Sequence, residues 1–171
     1  MKKTIIGIVG FFAVLLASSA FTQRTTAPAV GYLAPALSVE SASQVPEATS
    51  LSDYRGKYVL LTFWDCSRAD SRLQVNRYQQ WFDANKSTAD SMNLSMMAVN
   101  LDSNPRRFEE IVKRDHLDSN RQFHPEAEQL SLVVENFQLS AQSKTFLIDP
   151  DGRIIAVNPT IDQLSRIGQF L

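Results

Sequence analysis

The sequence predicts an α/β domain built on one central mixed β-sheet with helices on both faces. Three observations lead there. Lys57 to Trp64 (KYVLLTFW) is β-branched and aromatic almost without polar interruption, the pattern of a strand buried on both faces. Segments with helical spacing alternate with further apolar runs, in the order β-β-α-β-α-α-β-β-α. Near the C-terminus two short strand-like runs flank Asp149-Pro150-Asp151-Gly152, whose Pro and Gly suit a type I turn closing an antiparallel hairpin.

The elements follow in order. Ala36 to Glu40 is a short strand, residues 41–50 are polar, and Leu51-Ser52-Asp53-Tyr54-Arg55-Gly56 turns the chain into the central strand. Ser67 and Asp70 form an S-x-x-D helix-start signal, Ser67 as cap and Asp70 complementing the dipole. Leu73, Tyr78, Trp81 and Phe82 then recur near helical spacing up to about Asn85. Residues 86–91 are polar, and Met92 to Leu101 is a second inner strand. Asn104-Pro105 opens a helix with Phe108, Ile111 and Val112 as its apolar stripe. His116 to His124 is irregular, and Pro125 to Phe137 is a third helix. Lys144 to Ile148 and Arg153 to Val157 are the hairpin strands, and Thr160 to Leu171 a last amphipathic helix. No internal repeat is visible.

Composition narrows the function classes. The 171 residues are 44% hydrophobic and 20% charged, which suits one globular domain with a core that needs no staple. A net charge of −1, with no run of Lys or Arg longer than two, leaves no footprint for nucleic acid. The single cysteine, Cys66, excludes an intramolecular disulfide and a cysteine-rich zinc site. No cofactor is expected.

The first twenty residues read as an export signal. Met1-Lys2-Lys3 is a positive start, Ile5 to Ala17 an apolar run short for a membrane span, and Ser18-Ser19-Ala20 a small-residue cleavage site. A lipoprotein signal would need a cysteine at the cut. Residues 1–20 are therefore expected to be removed, giving a periplasmic or secreted product of net charge about −3, with membrane attachment only if the segment is kept. Residues 21–36, with Pro28, Gly31 and Pro35 and no period, form a leader or linker, and 37–171 the domain.

Three segments, in order, resemble the secreted thiol–disulfide oxidoreductases of the TlpA/ResA type, within the AhpC/TSA-like superfamily. They are Gly31-x-x-Ala34-Pro35, Leu51-Ser52-Asp53-Tyr54-Arg55-Gly56-Lys57-Tyr58-Val59-Leu60-Leu61-x-Phe63-Trp64, and Thr145-Phe146-Leu147-Ile148-Asp149-x-Asp151-Gly152-Arg153-Ile154-Ile155. The resemblance implies a thioredoxin-like fold with an N-terminal strand extension. It also locates what is missing. The family's C-x-x-C segment, where helix amides stabilise a thiolate, aligns with Arg68 and Ser71, and Arg72 falls where the family often carries a basic residue. The cis-proline opposite the cysteines aligns with Ser143. A cis bond before a non-proline residue costs about 2.5–4 kcal/mol, so a trans, rearranged loop is expected at 141–144. With one cysteine, intramolecular dithiol exchange cannot occur.

Cys66 lies two residues before the nucleophile's position. The helix start and Arg68 would lower its pKa, while Asp65 and Asp70 oppose that. A peroxiredoxin would carry Thr or Ser where Phe63 stands. The bland reading is a small packed residue at a strand end; the sharp one is a one-cysteine oxidoreductase or peroxidase-like protein using an external thiol.

Other candidates read as structure. Asp149-x-Asp151-Gly152 lacks the glutamate of a calcium loop, since Thr160 stands there. His116 and His124 lack zinc-site spacing and are taken as solvated. Glu109, Glu110 and Asp115 with Arg106, Arg107, Lys113 and Arg114 read as a salt-laced exposed helix face. The expected function is a binding or structural module for a protein or peptide partner. Its expected contact surface is a cleft made by 65–72 and 142–144, lined by Trp64, Asp65, Arg68, Asp70, Arg72 and Lys144.

Overall fold

The computed structural model describes residues 27–42, 48–139 and 144–167. The segment expected to be an export signal, the first part of the expected leader, Gln142 and Ser143 of the expected rearranged loop, and the end of the expected last helix lie outside them.

Among the described residues one seven-stranded sheet runs in the order β2-β1-β5-β4-β3-β6-β7. Its strands are β1 (Ser38–Ser41), β2 (Ala48–Ser50), β3 (Tyr58–Trp64), β4 (Leu94–Asn100), β5 (Gln122–His124), β6 (Thr145–Ile148) and β7 (Ile154–Val157). The central pair β3 and β4 is parallel, Leu60 opposite Met96. β6 lies antiparallel on the other side of β3, Leu61 opposite Phe146. Parallel neighbours need a crossover, and α1 (Ala69–Ala84) with α2 (Lys86–Ser91) provides it between β3 and β4. α3 (Pro105–Arg114) leads to β5, α4 (Leu130–Asn136) to β6, and α5 (Ile161–Arg166) closes the described chain.

The alternation of β3 sorts its side chains between two cores. Leu60 and Trp64 pack under α1, α3 and α5, with Tyr78, Phe108 and Leu164 among their cluster. Val59, Leu61 and Phe63 face the other way, onto Phe137, Phe146 and the incoming Leu37 and Leu51. The Phe63 and Phe137 rings lie 4.8 Å apart. Each such side chain taken out of water contributes about 1.5–3 kcal/mol, which is why an almost wholly apolar strand sits at the centre. Helices therefore cover both faces, as the pattern predicted.

Several local expectations are corrected. Ser67 does not cap α1: its N–H and hydroxyl both donate to the Asp65 carboxylate, and Arg68 is the cap residue, its side chain making no capping bond. Leu73 is 60% exposed and not part of the buried stripe. The polar segments 41–50 and 86–91 contain β2 and α2, and the irregular 116–124 contains β5. These elements are short and held by backbone pairing, with no hydrophobic period to betray them: β2 is zipped to β1, Val39 opposite Thr49. The third helix starts at Leu130, because residues 126–129 form a separate turn closed by Gln129 N–H onto the Glu126 carbonyl. Asn104 does cap α3, accepting from the Arg106 and Arg107 amides.

The hairpin is a tight turn with one residue of left-handed backbone. Gly152 N–H donates to the Asp149 carbonyl at 2.8 Å, and Gly152 has φ +78, which a Cβ would oppose. Residues 31–34, within the segment read as leader, are tied to this hairpin: Gly31 N–H donates to Ile154 O, Ile154 N–H to Tyr32 O and Ala34 N–H to Gly152 O. They cover part of an otherwise open sheet edge. No helix among the described residues is long and apolar enough to cross a membrane.

Candidate functional site

The carboxyl ends of β3 and β4 are where an α/β sheet of this kind places its chemistry. Trp64 ends β3 at 1% exposure and packs against Phe108, its ring centroid 6.0 Å away. It is core, so the expectation that it lines a cleft is corrected. The chain then turns through Asp65, whose N–H donates to the Ser71 hydroxyl at 2.9 Å. Ser71, at the aligned second-cysteine position, is thereby a buried acceptor that holds the loop onto the first turn of α1.

Cys66 is 5% exposed and belongs to the core cluster under α1 and α3. Its Sγ accepts a hydrogen bond from Asn100 Nδ2 at 3.3 Å. Burial pushes the thiol up to about 11, with the nearby Asp102 and Asp65 carboxylates adding to the rise against the Asn100 bond and Arg107. The thiolate, which is the nucleophile, is therefore scarce at neutral pH. Arg68 does not assist. Its guanidinium pairs with Asp70 at 2.6 Å on the surface, and that bond holds the Asp70 carboxyl below the usual range.

Arg72 turns toward α3. Its Nε and Nη2 grip both oxygens of Asp115, at 2.6 and 2.7 Å. Burial alone would raise the Asp115 carboxyl, but hydrogen bonds from Arg72 and Arg114 hold it below its ordinary value. Asp115 is thus a half-buried brace and not part of an exposed charged face. Arg107 likewise reaches back to Asp102, at 3.1 Å. His124 is not simply solvated: Nε2 donates to the Asp102 carbonyl at 2.7 Å and its ring lies over Phe108. His116 is exposed.

Lys144 lies where the resemblance places it only by its backbone, whose carbonyl accepts from Phe63 N–H at 2.9 Å. Its side chain leaves on the far face of the sheet. Nζ donates to Gln138 O at 3.1 Å and stands over the Phe146 ring, closing the C-terminal end of α4. The structure therefore does not bring Lys144 together with Arg68, Asp70 and Arg72. Of the expected lining, Asp70 is exposed, with the half-buried Arg68 paired beside it.

A groove that sequence reasoning missed begins at Asp70. It lies between the outward side of α1 and the turn 158–161, with a volume of about 490 Å³, and Leu73, Gln74, Arg77, Asn158 and Pro159 line it. Tyr78 fixes the two walls together, its hydroxyl donating to the Pro159 carbonyl at 2.8 Å. Asn158 has a left-handed φ of 51, and its Oδ1 accepts from Thr145 N–H. Gln74 Nε2 donates to the Thr145 hydroxyl, itself bonded to Thr62 in the core. The signal available in the sequence was Leu73 and Arg77, four apart on α1 and out of register with its buried residues. Among the described residues no group of three or more His, Cys, Asp or Glu is arranged to hold a metal ion.

Residues 30–157 match the model of the AhpC/TSA family. Among curated proteins, none is significantly similar in sequence. Solved structures are close in fold. A thioredoxin-like protein from Parabacteroides distasonis is 27% identical with a TM-score of 0.66, over 84% of this chain and 96% of that one. The thioredoxin domain of a thiol-disulfide oxidoreductase from Bacteroides vulgatus is 24% identical with a TM-score of 0.71, over 83% and 97%. A thiol:disulfide interchange protein from Bacteroides sp. is 23% identical with a TM-score of 0.68, over 84% and 90%. With the fold, the order of its segments and the family match in agreement, the chain belongs to the AhpC/TSA family, as a divergent, single-cysteine member with a thioredoxin-like fold.

Proposed function

We propose that this protein is an exported thioredoxin-fold module that does not carry out dithiol exchange and acts by binding a protein or peptide partner through the surface around the start of α1. The observation that carries the reading is the state of its one thiol. Cys66 is buried, hydrogen-bonded to Asn100 and held mostly protonated, and the aligned cysteine positions are an ion-paired arginine and a buried serine acceptor. A thiol without a second sulfur in its own chain can complete a two-electron exchange only if an external thiol resolves the mixed disulfide. What remains accessible at this end of the sheet is a polar rim, Arg68 and Asp70, running into the groove beside α1.

Insulin reduction with dithiothreitol tests the inactive reading. Turnover should equal that without protein; turnover that disappears in Cys66→Ser overturns it. The one-cysteine oxidoreductase reading requires fast labelling of Cys66 by a thiol reagent on the native protein at neutral pH, and slow labelling argues for the packed thiol. Export with removal of residues 1–20 is supported by the basic start, apolar run and small-residue site, and the mass of the exported product decides it.

A further inference from the structure

The groove beside α1 has a definite polarity. Asp70, its one acidic lining residue, is neutralised by Arg68 at 2.6 Å. Among the described residues Arg77, the other charged group there, has no ion-pair partner. On the opposite wall the Asn158 Oδ1 is occupied by Thr145 N–H, so among the described residues its amide N–H groups are the part of that side chain left to bond a ligand. The groove thus offers hydrogen-bond donors and one unbalanced positive charge beside an apolar surface made by Leu73, Pro159 and Ile161. We propose that it takes an extended segment of a partner polypeptide carrying an apolar residue, any residue, then Asp or Glu, with the apolar side chain against Leu73 and the carboxylate on Arg77.

The spacing follows from two repeats. Leu73 and Arg77 are one turn apart, about 6 Å along the helix. In an extended strand, residues i and i+2 point to the same side and are about 6.6 Å apart. A carboxylate also accepts from a guanidinium in a fork, which a neutral acceptor cannot match. The inference rests on the binding reading above and adds the chemistry of the partner.

The test is selection of a random twelve-residue peptide library on the full exported protein and on an unrelated control protein. The expected pool is enriched in the apolar–any–acidic pattern, and a selected peptide should bind Arg77→Ala about 5- to 10-fold more weakly. Arg77→Lys should keep the acidic preference and Arg77→Glu should replace it with a basic one, all three variants being checked for native far-UV circular dichroism. Enrichment without an acidic excess, or binding indifferent to Arg77, overturns this inference alone. No enrichment above the control overturns it together with the binding reading.

Discussion

Cys66 and Arg72, six residues apart in sequence, both turn toward α3 but meet different partners there. Cys66 enters the core with a pKa raised from 9.0 to about 11, chiefly by burial. A proton held more tightly in the folded chain favours folding below the unfolded pKa, and that contribution is lost as pH rises through the folded one. Wild type should therefore lose roughly 2–3 kcal/mol more than Cys66→Ala between about pH 9 and pH 11, read as the difference of urea midpoints across that range. Equal losses would show the thiol to be solvated. Arg72 instead meets Asp115, with two short bonds in a half-buried site. Arg72→Met should cost about 1–3 kcal/mol by thermal or denaturant unfolding, because it strands a partly buried carboxylate. The lowered Asp115 pKa makes this brace present above the ordinary carboxylate pKa and lost as pH falls through its own, so the variant's deficit should shrink in acid.

At the scale of elements, what could be read in advance was what local chemistry dictates. The run at β3, the Asn104 cap and the turn at Gly152 each carry their instruction within a few residues. β2, α2 and β5 do not; they exist because a neighbouring segment supplies backbone partners or a surface. The candidate site divides the same way. Burial of Cys66 follows from its place at the end of an apolar strand. The direction of Lys144 was also available, since it shares the parity of Phe146, but its carbonyl partner just past the end of α4 was not. The pairing of Arg72 with Asp115 joins residues of two helices and could not be seen from either. Alignment of Arg68 and Ser71 with the missing cysteines has its own test. Arg68→Cys/Ser71→Cys places two thiols at the first turn of α1, and an intramolecular disulfide should form on air oxidation, seen as the loss of two hydrogens by mass. Turnover in the insulin assay should then rise above the wild-type background. If neither occurs, the register is wrong, even though the fold stands.

On the scale of the whole molecule, the sheet is asymmetric in how its ends are finished. One end is the short β1–β2 pair. The other is β7, partly covered by residues 31–34. Removal of residues 21–34 should lower the melting temperature and increase association by light scattering, because Ile155 and Val157, already partly exposed, lie on the strand thus uncovered. Unchanged melting and scattering would mean that the segment rests on the edge without stabilising it. The same arrangement sets how the molecule bears load. Tension applied to the chain ahead of residue 27 reaches the domain first at the three amide contacts of Gly31, Ile154 and Ala34 with their carbonyls. They would be expected to give way one after another, so the polypeptide could lengthen there while the helices and the inner strands stay unloaded.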